Sequence, residues 1–78
     1  MPHTAPKTQR QSARTILAVN LRRMRAELAW SQEDLAAEAG LDRSFVAHVE
    51  RGARNISIDN LEKLAVALAV PIARLLEQ

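Results

Sequence analysis

Leu17, Leu21, Met24 and Leu28 recur at intervals of four, three and four residues, the spacing that puts side chains on one face of an α-helix. A first helix is therefore predicted from about Arg14 or Thr15 to Leu28, with Arg25 beside the apolar stripe and Arg22 and Arg23 away from it. A second, shorter helix spans roughly Gln32 to Glu38 or Ala39. Ser31 is placed to accept a hydrogen bond from its first turn, with Glu33 and Asp34 near its positive end. Trp30 is read as a hydrophobic plug beneath that turn. Asp42 starts a third helix that runs to Arg51, with Gly52 as its left-handed stop. A fourth follows Ser57 and carries Ile58, Leu61, Leu64, Ala65 and Leu68 toward a core. Val70 and Pro71 break it, because proline cannot continue the hydrogen-bond ladder but suits the first turn of a new helix. The last helix is predicted over Pro71 to Glu77, with Ile72, Leu75 and Leu76 apolar.

The second and third helices form one unit. Leu35, Ala39, Leu41, Val46 and Val49 fall where two crossed helices would face a common core, with small Ala36 opposite the turn. Gly40 sits between them, where a residue without Cβ can take positive φ and redirect the chain. This is a helix-turn-helix pattern. With Val46 and Val49 turned inward, Arg43, Ser44, Ala47, His48 and Arg51 face out, and Phe45 lies on the border. These residue types suit DNA: arginine presents two donors to guanine O6 and N7, serine bonds bases or phosphates, and alanine permits close approach or contact with a thymine methyl. Arg43 is the first choice for base readout, with Ser44, Ala47 and His48 beside it. Gln32, at the amino end of the preceding helix, is a phosphate candidate. Arg51, Arg54 and Asn55 in the following RGARNI loop are others, and Phe45 is expected to pack against sugar-phosphate and the core edge. Outside this context each would be an ordinary solvated side chain.

Composition agrees with an all-α class: only Trp30 and Phe45 are aromatic, alanine and leucine abound, and strand-type alternation is absent. Seventy-eight residues support one small domain, for which a second copy adding buried area is a natural source of stability. No cysteine is present, which excludes disulfides, thiolate metal sites and a thiol nucleophile, and two histidines, His3 and His48, cannot build a zinc site alone. No metal or cofactor is expected. No apolar run is long enough to span a bilayer and no signal-peptide core opens the chain, so a cytoplasmic protein, nucleoid-associated when bound to DNA, is expected.

The net charge of +2 is unevenly placed. Residues 1–14 hold Lys7, Arg10 and Arg14 with no acid, leaving eight basic against nine acidic side chains in the remainder. DNA binding by such a near-neutral body requires its basic groups on one face, for which Arg22, Arg23, Arg43, Arg51 and Arg54 are candidates. Met1 to Ala13, with two prolines and no apolar periodicity, reads as a basic N-terminal tail ahead of a domain over 14–78. It is either a solubilising terminus or an arm that adds phosphate contacts.

From about Leu17 to Leu76 the chain resembles the lambda-repressor-like (Cro/C1, or XRE) family of five-helix DNA-binding domains. The resemblance rests on LRRMR, on SQEDLA at 31–36, on Gly40, on LDRSFVAHVERGARN from Leu41 to Asn55, and on LEKLAVAL. LDRSF, ERGARN and SIDNLEKLA are most similar to the controller proteins of restriction-modification systems. The resemblance implies a homodimeric transcriptional regulator on a pseudo-palindromic operator in double-stranded DNA, with RNA polymerase as a further partner. It implies DNA-contact roles for Gln32, Arg43, Ser44 and Asn55, and an ion pair between Arg25 and Glu50 that ties the first helix to the end of the third. His48 departs from the pattern and Ala47 contributes no hydrogen bond, which leaves Arg43 and Ser44 carrying more of the readout. The surplus apolar residues Val66, Ile72, Leu75 and Leu76 are candidates for the dimer interface.

A different class of function is open to the same fold: an antitoxin or co-regulator that works mainly through protein–protein contacts. Enzymatic activity is not expected, since no nucleophile–base pair, apolar carboxylate pair or phosphate-binding glycine loop is present.

Overall fold

The computed structural model describes residues 11–78, and over them the chain forms α1 (Ala13–Glu27), α2 (Gln32–Ala39), α3 (Arg43–Glu50), α4 (Ile58–Leu68) and α5 (Ile72–Leu75), with no strand among the described residues. Three helices start on a serine or its equivalent device. Ser12, Ser31 and Ser57 accept from the backbone amides of Thr15, Asp34 and Asn60, each satisfying an amide that the helix itself leaves unpaired. At α2 the bond is reciprocated: Asp34 Oδ2 accepts from the Ser31 amide at 2.9 Å, completing a capping box. Asp42 occupies the corresponding position before α3 with extended backbone, but its side chain makes no capping bond.

α1 through α4 all stop by one mechanism. A left-handed residue turns the chain, and its own amide and the next one bond back across the last turn. Gly40 (φ +71) and Gly52 (φ +69) supply that residue after α2 and α3. Leu41 N–H bonds Ala36 O at 2.9 Å, and Ala53 N–H bonds His48 O at 3.0 Å. After α1 and α4 the same conformation falls to alanines, Ala29 and Ala69 (φ +58 each), with Trp30 N–H to Arg25 O and Val70 N–H to Ala65 O at 3.0 Å. Glycine spacing marks the first two stops in the sequence and is silent about the other two.

α2 and α3 cross at the Gly40 turn, α1 packs on α3, α4 packs on α2, and the short α5 closes against α1 and α4. The core comprises Leu17, Leu21, Met24, Leu35, Ala36, Ala39, Val46, Val49, Leu61, Leu64, Ala65, Leu68 and Leu75. Alanines at 36, 39 and 65 let helix axes approach where leucines would hold them apart. Trp30, Leu41 and Phe45 pack on its margin, half-buried.

Several positions depart from the apolar pattern. Leu28 lies beyond the end of α1 and is 46% exposed, because Ala29 turns the chain before the stripe can continue. Ile58 is 69% exposed: it stands in the first turn of α4, to one side of the Leu61–Leu64–Ala65–Leu68 stripe. α5 is four residues rather than seven. Leu75, a candidate for the dimer interface, is fully buried in its own chain's core and has no surface to offer a second copy. Ile72 is half-buried, while Leu76 and Val66 are exposed, Val66 at 73%. The proposed tail boundary also moves, since Ser12 and Ala13 belong to the start of α1; residues 1–10, with His3, Lys7 and Arg10, lie outside the described residues.

One polar residue holds the last helix in place. Asn20, buried on α1 one position before Leu21, donates through Nδ2 to Leu75 O and Glu77 O, both at 2.8 Å. A four-residue helix has no stability of its own, so α5 depends on this pair of bonds and on Leu75.

Candidate nucleic-acid interface

α3 has a sharply divided surface. Val46 and Val49 are buried by their apolar periodicity, and Glu50 is buried with them at 2% exposure. The opposite side presents Arg43 and Ser44 exposed, Ala47 and His48 half-exposed, and Arg51 exposed at its end. A buried carboxylate is costly unless its oxygens are filled, and here they are. Arg25 Nε donates to Glu50 Oε2 at 2.8 Å and Arg25 Nη2 to Glu50 Oε1 at 2.9 Å, a two-pronged pair. Gln32 Nε2 donates to Oε1 at 3.0 Å. Arg25 Nη1 also bonds Trp30 O at 2.9 Å, and Arg22 donates to the main-chain oxygen of Glu50. The Glu50 carboxylate raises the Arg25 pKa, chiefly through the hydrogen bond, against an opposing contribution from burial. Three elements thus meet at one glutamate, α1, the amino end of α2 and the end of α3, and Arg25 extends the network to the loop before α2 through Trp30 O.

This network places Gln32 more closely than the sequence does. Its amide nitrogen is committed to Glu50, which fixes which way the side chain is flipped and leaves one N–H and the oxygen free. Gln32 and Arg43 line one open groove with Arg25, Ser31 and Glu33, so the amino ends of α2 and α3 form a shared edge. A second group gathers at the other end of α3. Arg51 Nη2 lies 3.1 Å from His48 Nδ1, and the Arg54 guanidinium sits 5.7 Å from the centre of the Phe45 ring, in cation–π range. Asn55 Oδ1 accepts from Arg14, which ties the loop after α3 back to the start of α1.

Of the five arginines offered for a basic face, Arg43, Arg51 and Arg54 stand on α3 or the loop after it, and Arg22 reaches α3's last turn. Arg23 does not join them: it lines grooves with Glu27, Leu68, Arg74 and Glu77, between α1 and the carboxyl-terminal helices. Arg14 and Asn20 have functions that the apolar pattern does not signal, because each depends on a partner more than 40 residues away. Among the described residues no group of histidine, cysteine or carboxylate side chains could hold a metal ion, and no helix is long and apolar enough to cross a membrane.

A helix-turn-helix family model (HTH_3) matches residues 21–75. A hypothetical transcription factor of Neisseria meningitidis serogroup B is 48% identical over 66 residues, which is 85% of this chain and 62% of that protein. The crystal structure of a hypothetical transcription factor, NHTF, from Neisseria superposes with a TM-score of 0.82 over 99% of this chain and 86% of that one, at 44% identity. Control protein C.BamHI of Bacillus amyloliquefaciens is 49% identical over 47 residues, 60% of this chain and 58% of its own length. The chain therefore spans about three fifths of the length of these two relatives. The restriction-modification controller protein C.AhdI from Aeromonas hydrophila has a TM-score of 0.77 at 45% identity, covering 80% of this chain and 94% of that one. With five helices in the same arrangement, a glycine-turned α2–α3 pair and a family match across most of its length, the chain belongs to the helix-turn-helix family of Cro/C1 (XRE) type.

Proposed function

We propose that this chain is a sequence-specific DNA-binding transcriptional regulator that acts as a homodimer on a pseudo-palindromic operator, as the controller of a restriction-modification system. The observation that carries the reading is the division of α3: one face is locked into the core by Val46, Val49 and the Glu50 network, and the other presents Arg43, Ser44, Ala47 and His48 outward. Rigid support matters because base edges are read by hydrogen bonds that tolerate little error. In this reading α3 enters the major groove, with Arg43 and Ser44 foremost in base contact. Gln32 through its free N–H, together with Arg51, Arg54 and Asn55, meets the phosphates, and Phe45 backs the sugar-phosphate edge. Val66, Leu76 and part of Ile72 remain for the dimer contact. Two copies would set their α3 helices about 34 Å apart, one turn of DNA. If regulation is by activation, RNA polymerase is the further partner. Similarity to proteins named as controllers supports the narrower assignment.

Selection of bound sequences from a random DNA pool tests this directly, since the recovered motif reports half-site sequence and spacing together. Arg43→Ala should then cost roughly 1–3 kcal/mol and relax discrimination at one base position. Arg54→Ala should weaken every sequence alike and flatten the dependence of binding on salt. Equal loss on specific and random DNA for Arg43→Ala would demote that residue to a phosphate contact. The exposure of Val66 and Ile58 on α4 supports a second reading, in which the chain is an antitoxin or co-regulator working through a bound protein. Failure to enrich any DNA, together with a stoichiometric protein partner on purification, would favour it.

A further inference from the structure

We propose that Arg51 holds His48 in the neutral tautomer protonated on Nε2, so that the imidazole meets DNA as a hydrogen-bond donor only. Arg51 Nη2 and His48 Nδ1 are 3.1 Å apart. A guanidinium has five N–H donors and no acceptor, and it does not deprotonate in proteins. Nδ1 must therefore be the acceptor, which removes its proton, and the ring's single proton then resides on Nε2. The pair is local and exposed, and it stands on an ordered backbone. His48 O accepts from the Ala53 amide at 3.0 Å and Val49 O from the Gly52 amide at 2.9 Å, so the backbone between the two side chains is held by the stop that ends α3.

The consequence for recognition rests on the reading of α3 as the helix in the major groove. An Nε2–H can satisfy guanine O6 or N7, adenine N7 or thymine O4, but it repels the amino group of cytosine. With Arg43 also donor-only and Ala47 offering no hydrogen bond, two of the four outward positions demand acceptors and only Ser44 can bond either kind of group. Arg51 is thus a positioning residue for specificity, distinct from its use as a phosphate contact. Without it, Nδ1 becomes free to carry the proton, and Nε2 can then accept from the amino group of cytosine or adenine.

The test uses the full chain, labelled with nitrogen-15, at a pH where imidazole is neutral. Long-range proton–nitrogen correlations report the tautomer, and the His48 signals are assigned by their loss in His48→Gln. The native chain should show an unprotonated Nδ1, Arg51→Ala an average of the two tautomers, and Arg51→Lys, which restores a donor, a return toward the native pattern. In selections from random DNA, Arg51→Ala should lose preference at one base pair per half-site by on the order of fivefold, at the same position that His48→Ala affects. A protonated Nδ1 in the native chain, or an unchanged tautomer in Arg51→Ala, would overturn the proposal. So would a motif that Arg51→Ala weakens uniformly without altering. If the native chain enriches no sequence, the regulator reading falls and the specificity role with it, while the tautomer is measured without DNA and stands or falls separately.

Discussion

Removing Arg25 should undo much of what holds the end of α3 in place. Arg25→Ala deletes two of the three side-chain donors to Glu50 and the bond to Trp30 O, leaving a carboxylate that is 2% exposed with Gln32 Nε2 as its remaining side-chain partner. Stranding one member of a buried ion pair costs roughly 3–5 kcal/mol. The Arg25 side chain is itself 20% exposed, so some water can follow it out, and the lower figure of about 3 kcal/mol is expected. A domain of this size has a total stability on the order of 5 kcal/mol, and the melting midpoint should fall by roughly 12–24 °C. Far-UV circular dichroism melts of the native chain, Arg25→Ala, Glu50→Gln and the double variant would measure this. Glu50→Gln should cost less than Arg25→Ala, because a partly exposed guanidinium can turn to solvent and a buried carboxylate cannot. The two losses should fall well short of adding in the double variant. A loss under about 1 kcal/mol for Arg25→Ala, or strict additivity, would refute the role assigned to the pair. The pH dependence has a definite sign as well. Glu50 raises the Arg25 pKa above the ordinary guanidinium range, so the stabilisation on the arginine side is fully present below that range and is lost only as pH rises through the still higher folded value. Arg25 should therefore add no pH dependence to stability between neutral and mildly alkaline solution.

Two further outcomes concern the backbone and α5. Asn20→Ala should destabilise by about 1–3 kcal/mol, and Asn20→Asp by more despite equal size, because a carboxylate would face two carbonyl oxygens where the amide now donates; thermal melts decide the order. Gly40→Ala should cost about 1 kcal/mol from the positive φ alone, since an added Cβ at that site meets no atom within 4 Å, whereas Ala69→Gly should be neutral or slightly stabilising. A Gly40→Ala chain as stable as the native one in denaturant titration would show that the turn tolerates a side chain and that its conformation is not what selects glycine.

The apolar spacing of three and four residues carries most of the fold, because burial of a helix face is a local, periodic property. α2 and α3 lie within a residue or so of where the pattern and their flanking Ser31, Gly40 and Gly52 place them, and the outward face of α3 follows once Val46 and Val49 are known to point in. The same reasoning misplaces Leu28 and Ile58, which sit at helix ends where the stripe outruns the packing, and it leaves Leu75 on a surface that does not exist. It also cannot see that Ala29 and Ala69 take the conformation that glycine advertises at Gly40, since there the packing of neighbouring helices imposes the turn against a small local preference.

The chain alone thus determines five amphipathic segments, their order, one strong turn and the outward face of the third helix, with Arg43, Ser44, Ala47 and His48 on it. Apart from the Arg25–Glu50 pair, which the family resemblance already implies and the structure forms, only the tertiary structure decides which polar groups meet. Glu50 collects Arg25 and Gln32 on its carboxylate and Arg22 on its carbonyl, Asn20 reaches 55 residues ahead to Leu75, and Arg14 reaches Asn55. Helix propensity and capping act over one to four residues and so are written in the local sequence. A hydrogen bond between distant side chains depends on how the helices cross, which is settled by the packed core as a whole.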